Sequence, residues 1–153
     1  MKPLAYLITF TCHGTWLHGD KRGSVDPQHN QFGTPFIEED SPREQEAYKN
    51  LTHEPVYLSL QQRDNITQSI REVCEFRGWK LLEVNVRTNH VHAVVQSPES
   101  PKKIFRDLKS RSTMNLKSSG LFDQEYLWTR GGSGRYLWHE SAVQAACRYV
   151  REQ

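Results

Sequence analysis

Apolar and polar residues alternate from Leu4 to His13. Tyr6, Ile8, Phe10 and Cys12 fall on one side and Thr9, Thr11 and His13 on a more polar other side, which predicts a strand covered on one face. The periodicity then disappears from His18 to Pro55, where Gly19, Gly23, Gly33, Pro27, Pro35, Pro42 and Pro55 punctuate a polar stretch too long for an ordinary connection. It reads as a long excursion, with Ser41 to Leu51 as a short acidic helix within it. Ser59 and Gln62 have capping-box spacing, and Ile66, Ile70 and Val73 then recur at helical intervals until Gly78 supplies a C-terminal cap. Two apolar runs follow, Lys80 to Val86 and His90 to Gln96, with Thr88-Asn89 near the turn between them. They read as an antiparallel pair in which Val91, Ala93 and Val95 point to one face and His90 and His92 to the other.

Ser100-Pro101 is an N-cap followed by a first-turn proline and opens a helix from about Lys102 to Lys117. Leu127 to Thr129 and Tyr136 to Trp138 flank Arg130-Gly131-Gly132-Ser133-Gly134-Arg135, read as a short strand, a flexible glycine loop and a return. From Ser141 onward a last helix carries the apolar stripe Val143, Cys147 and Val150. The order strand, helix, strand, strand, helix, strand is that of a ferredoxin-like α+β sandwich, with an antiparallel sheet and an added C-terminal helix. At 153 residues the chain holds one core, so residues 1–153 are expected to form a single domain with a long insertion at about 18–56.

Charge sharpens this picture once it is located. The net +2 conceals a polarised chain: six acids (Glu38, Glu39, Asp40, Glu44, Glu46, Glu54) outnumber Arg43 and Lys49 between Phe36 and Glu54, whereas Lys102, Lys103, Arg106, Lys109, Arg111 and Lys117 face Asp107 alone. Basic residues concentrated on one helix are the footprint of phosphate-backbone binding, and equally the pattern of a solvated helix face. Cys12, Cys74 and Cys147 are scattered with no Cys-x-x-Cys, which fits reduced thiols in core positions better than a disulfide frame. No apolar run is long enough to span a bilayer and no secretory pattern follows Met1, so a cytoplasmic protein without membrane partners is expected.

The chemistry concentrates in Asn89-His90-Val91-His92. Two imidazoles two positions apart on a strand leave the same face and make half of a metal site. Tyr149 and Gln153, four residues apart in a helical run, share one helix face and can present a hydroxyl and a neutral oxygen. Two imidazoles and an amide leave half of an octahedral shell open, which suits Mg2+ or Mn2+, the imidazoles favouring Mn2+. Gln153 is also the last residue, in a position where helices fray. Tyr126 and Tyr136 are alternative nucleophiles, but they stand beside Trp128 and Trp138, in company where aromatics pack or stack. His13 ends the polar side of the first strand, from which it can reach the same cleft. Arg130 and Arg135 bracket the glycine loop and can meet DNA, and Trp16, Trp128 and Trp138 are available for packing or for stacking unpaired bases.

His90-x-His92 on a strand, followed by a basic helix, a further strand and Tyr149-x-x-x-Gln153, resembles the single-tyrosine HUH transposases of the insertion-sequence and REP-associated kind. The resemblance runs from Ala5 to Gln153 apart from the segment at about 18–56. It implies the ferredoxin-like fold, metal-dependent cleavage and strand transfer on single-stranded, hairpin-bearing DNA, and a 5′-phosphotyrosine on Tyr149. The metal ligands it implies are His90, His92 and Gln153, with Glu152 as the fallback, and it implies a homodimer in which the tyrosine helix of one subunit often serves the other. A second class is a non-catalytic binder of structured single-stranded DNA. A third, a cupin-like metalloenzyme, wants a Glu three or four residues after the second histidine, where this chain has Val95 and Gln96.

Overall fold

The computed structural model describes residues 2–15 and 54–153. Most of the expected excursion, including the acidic helix at Ser41 to Leu51 and Trp16, lies outside the described residues. The elements run β1 (Ala5–Thr11), α1 (Leu60–Arg77), β2 (Lys80–Val86), β3 (His90–Gln96), α2 (Pro101–Ser118), β4 (Ser133–Leu137) and α3 (Glu140–Arg151). The four strands form one sheet in the order β2-β3-β1-β4, each neighbouring pair antiparallel. Two split β-α-β units interleaved in this way make the ferredoxin-like α+β fold.

Local signals set the element ends. The Ser59 hydroxyl accepts from Gln62 N at 3.2 Å and Gln62 Oε1 accepts from Ser59 N at 2.8 Å, closing the capping box at the start of α1. Gly78, at φ +74, closes its other end in the left-handed region that a side chain would resist. Ser100 caps α2 through Lys103 N, with Pro101 in the first turn.

Alternation along the strands sorts side chains to two faces. Ile8, Phe10, Cys12, Val91, Ala93 and Val95 meet Ile66, Ile70, Ile104, Leu108 and Leu116 of α1 and α2 in a large apolar core. On the opposite face Ala5, Leu7, Val94 and Leu137 meet Val143, Ala146 and Val150 of α3 in a smaller one. The stripe of α3 therefore centres on Ala146, with Cys147 only partly buried. Val56 and Leu58 are buried in the main core, and Val56 N donates to His13 O at 2.9 Å.

The glycine segment departs from the expected loop. Ser133, Gly134 and Arg135 are strand residues, paired with Thr9, Ile8 and Leu7 of β1, whereas Leu127 to Thr129 contributes only the isolated bridge of Trp128 to Cys12. Gly134 is needed for contact rather than for flexibility, because a Cβ there would lie 2.1 Å from Cβ of Pro101. The first turn of α2 thus presses directly on β4, and composition alone cannot distinguish a glycine placed for close approach from one placed for a turn.

Candidate active site

The face of the sheet under α3 is apolar at one end and polar at the other. Beyond Ala5, Leu7 and Val94, the residues on that face become Thr9, Ser133 and Arg135, His92 and His90, and Asn85 of β2, with Thr9 and Asn85 flanking His92 in register. The imidazoles of His90 and His92 lie side by side, ring centroids 4.8 Å apart at 74°.

Each ring is oriented through Nδ1. His90 Nδ1 lies 2.8 Å from Asn89 Oδ1 and His92 Nδ1 lies 2.9 Å from Thr9 Oγ1. An Nδ1–H donated to these oxygens leaves the Nε2 lone pairs as the available ligands, as in metal-binding histidines held by a carbonyl or hydroxyl behind them. Nε2 of His92 is buried and has no hydrogen-bond partner among the described residues. Such an atom is costly in a fold unless something else occupies it. Burial, reinforced by the neighbouring His90, Arg135 and Arg87, lowers the His92 pKa to about 3. The ring is therefore neutral at ordinary pH, the form a metal requires.

Helix α3 brings Tyr149 over this pair. Val143, Ala146 and Val150 bury its apolar stripe, which turns Tyr149 toward the polar end, and its ring rests 5.3 Å from that of His92 at 66°. Arg135 is 9% exposed on the same sheet face. Burial pushes its pKa down while the nearby Tyr149 oxygen acts in the opposite sense, and a guanidinium keeps its charge in any case. Gln153 falls beyond the last helical residue, Arg151, so the shared-helix-face argument reaches Tyr149 but not its partner. The Gln153 side chain is exposed, and its backbone carbonyl accepts from Asn85 Nδ2 at 3.4 Å. Among the described residues no three His, Cys, Asp or Glu side chains gather to hold a metal.

A family model described as "Transposase IS200 like" matches residues 53–153. The chain belongs to the IS200-like transposase family. The fold is also that of a REP-associated tyrosine transposase solved bound to a REP hairpin, at TM-score 0.57 and 11% identity, covering 98% of this chain and 66% of that one. The chain thus spans about two thirds of that protein. A transposase-like protein from Deinococcus radiodurans R1 matches with TM-score 0.54 and 12% identity, over 100% of this chain and 92% of that chain. No curated protein sequence matches.

The remaining expected site residues of this transposase family member scatter. His13 follows β1 beyond Thr11, the partner of His90, and its ring packs 5.5 Å from Tyr126. Helix α2 lies on the opposite side of the sheet from the histidines. Within it Lys102, Arg106 and Arg111 are exposed, Lys103 pairs with Asp107 at 3.4 Å, and Arg111 lies 3.7 Å from Glu72. Lys109, expected among the phosphate contacts, instead turns inward. Its ammonium donates to Thr129 O at 2.9 Å and to Gly131 O, over the rings of Phe10 and Phe105. Arg130 is exposed. Trp128 packs edge-on against Phe10 with its indole N–H on Lys109 O at 3.3 Å. Trp138 lies against Tyr136. Sequence reasoning passed over Thr9, Asn85 and Asn89 as parts of the site. Thr9 was visible on the polar side of β1 and Asn89 in the turn, but only strand pairing makes Thr9 and Asn85 neighbours of His92. Among the described residues no helix is long and apolar enough to cross a membrane.

Proposed function

We propose that this transposase family member cleaves and rejoins single-stranded, hairpin-bearing DNA in a metal-dependent reaction of the HUH type, with Tyr149 as nucleophile. The observation that carries the reading is the Tyr149 ring packed against His92, whose imidazole in turn lies beside that of His90. A REP-associated tyrosine transposase of the same fold binds a REP hairpin, which supports hairpin DNA as the substrate.

The residues present fit a divalent cation, because a neutral, buried imidazole nitrogen with no hydrogen-bond partner is a donor that a cation would satisfy. His90 and His92 would hold Mg2+ or Mn2+ through Nε2, with Gln153 as third ligand by resemblance to the family. Bound there, the cation would draw charge from a nonbridging phosphate oxygen. Thr9 and Asn89 fix the ring orientations. Arg135, buried beside Tyr149, is the group best placed to donate to a phosphate oxygen. Tyr149 Oη forms its bond to the scissile phosphorus as the bond to the 3′-oxygen breaks. The phenol gives up its proton and the departing oxygen takes one up, leaving a 5′-phosphotyrosine and a 3′-hydroxyl. The reverse attack by a 3′-hydroxyl rejoins ends.

Incubation of the full chain with a hairpin oligonucleotide and Mn2+ is expected to yield a protein-DNA adduct that survives denaturation. Tyr149→Phe should bind the oligonucleotide yet form none. An adduct in the Phe variant, or one mapped to Tyr126 or Tyr136, overturns the assignment. Binding without any cleavage by the unaltered protein would leave a DNA-binding relative of the transposases.

A further inference from the structure

Helix α3 is short and shallowly seated. It has 12 residues, His139 at its N-cap makes no side-chain capping bond, and three residues of the helix are buried. A helix of this length is marginal in isolation and depends on docking. Two polar side chains of the edge strand β2 hold its far end, the end that carries Tyr149. Asn85 Nδ2 donates to Val150 O in the last turn at 2.9 Å and to Gln153 O just past it at 3.4 Å; among the described residues Val150 O otherwise accepts only a long 3.4 Å bond from Gln153 N. Two residues earlier on β2, Glu83 Oε2 accepts from Arg151 Nε at 3.2 Å. Asn85 also stands opposite His92 in the β2-β3 register. One side chain therefore touches the tyrosine helix from the strand that borders the histidine strand. A register shift between Leu81 and Glu83 precedes both residues, and alternation from Glu83 onward sends Glu83 and Asn85 to the α3 face.

We propose that Asn85 and Glu83 form a latch that positions Tyr149 over the histidines of its own chain, and that strand cleavage takes place with the latch closed. Asn85 is a positioning residue: it holds the main chain within the last turn and just beyond it, and Glu83 adds an ion pair at the rim. The latch sits on the edge strand, so its release lets the C-terminal turn lift without disturbing the pairing of β3 with β1. The cleavage half of this inference rests on the function proposed above; the latch itself does not.

The test compares Asn85→Ala, Glu83→Arg, Arg151→Glu and the double variant Glu83→Arg/Arg151→Glu in the full chain. Hydrogen exchange of residues 147–153 is followed beside single-turnover cleavage of a hairpin oligonucleotide with Mn2+. Asn85→Ala should accelerate exchange in the last turn of α3 while β1 and β3 stay protected. The single-turnover rate should fall about 10- to 100-fold, the size expected when a reacting group is misplaced by about an ångström, with oligonucleotide affinity unchanged. The charge-reversed double variant should recover the protection that each single variant loses, an outcome that general loss of packing would not give. Unchanged exchange in Asn85→Ala overturns the latch, and a faster cleavage rate in that variant overturns its closed, productive role. If the unaltered protein forms no adduct, the proposed function fails, whereas the exchange experiment still decides the latch. Should Asn85→Ala not fold, the Glu83–Arg151 pair, with side chains 25% and 65% exposed, decides it alone.

Discussion

The two faces of one sheet are built to opposite ends. Toward α1 and α2 the strands present Ile8, Phe10, Val91 and Val95, all at or near zero exposure, and two 18-residue helices cover them. Toward α3 the same strands present Ala5, Leu7 and Val94 and then, within two residues along each strand, Thr9 and His92. The first face fills space with branched and aromatic side chains, and the buried hydroxyls of the covering helices, Ser69 and Ser112, bond back to carbonyls of their own helices. The second stops filling halfway and leaves an imidazole nitrogen buried with no hydrogen-bond partner among the described residues. Because successive residues of β3 belong to alternate faces, the dense core clamps the backbone whose other side carries the histidines. The rigidity of His90 and His92 is thus supplied from behind by Val91, Ala93 and Val95.

The widest separation of the two faces is expected from His92→Ala against Leu108→Ala. His92→Ala should abolish metal-dependent cleavage at a smaller cost in stability than Leu108→Ala, since the loss of its Nδ1 bond to Thr9 is offset by removal of a buried nitrogen that has no partner among the described residues. Leu108→Ala should cost about 2–5 kcal/mol of stability as a cavity opens under the sheet, and the molecules that remain folded should cleave at the normal rate. Thermal unfolding and single-turnover rates, measured on the same preparations, check both. Loss of stability in His92→Ala comparable to that in Leu108→Ala would mean that the polar end is core after all.

A smaller effect is expected one step behind the histidine. Thr9 Oγ1 lies 2.9 Å from His92 Nδ1, and removal of such a partner weakens metal affinity by about 10- to 100-fold. Thr9→Val keeps the shape and β-branching of the strand residue, so Mn2+ titration should register the loss with little change in fold. Thr9→Ser should recover most of the affinity. Equal Mn2+ affinity in Thr9→Val would detach the hydroxyl from the site.

These two faces also explain what could be read from the sequence. The capping box at Ser59, the proline start of α2, the Gly78 stop and the alternation in β1 and β3 are local signals, and the structure keeps each of them. That His90 and His92 share a face was legible because spacing along a strand fixes it, whereas the contact of Tyr149 with His92 depends on how α3 seats on the sheet. What the chain does not write locally is contact between distant segments. Gly134 faces Pro101, Lys109 reaches back to Thr129 and Gly131, and Asn85 holds Val150. Each residue has an ordinary local role (loop glycine, basic stripe, strand polar residue) that a tertiary neighbour overrides. Gln153 shows the same limit in reverse, since helical spacing was extended past the residue where the helix stops.

The basic stripe of α2 offers a weaker test, because it lies on the side of the sheet away from the histidines. Charge reversal at Lys102, Arg106 and Lys117, all exposed, should flatten the dependence of oligonucleotide affinity on salt by about 0.7 per lost phosphate contact. At saturating DNA the cleavage rate should not change, since none of the three belongs to the histidine face. A constant salt slope would make the stripe a solvated surface. A drop in the saturated rate would instead tie the two sides of the sheet together.

The smallest expected effect concerns Lys109, a member of that stripe that the fold has turned inward. Burial lowers its pKa to about 8 from the usual 10.5, although two backbone carbonyls and the faces of Phe10 and Phe105 favour the charged form. The unfolded chain therefore holds a proton on this lysine between about pH 8 and 10.5 that the folded chain has released. Stability rises with pH wherever the unfolded state binds more protons, so the contribution of Lys109 is least favourable below pH 8 and improves as pH climbs through that window. Lys109→Met keeps most of the stem and removes the charge, and it should flatten this rise. The measurement is the difference in unfolding free energy between the two proteins at pH 7.5, 8.5 and 9.5, which cancels the titration of groups they share. A difference that stays constant would mean that the carbonyls of Thr129 and Gly131 fully offset the burial. In that case the ammonium is a fixed clamp on the glycine segment leading into β4, and Arg135 owes part of its position to a lysine on the opposite side of the sheet.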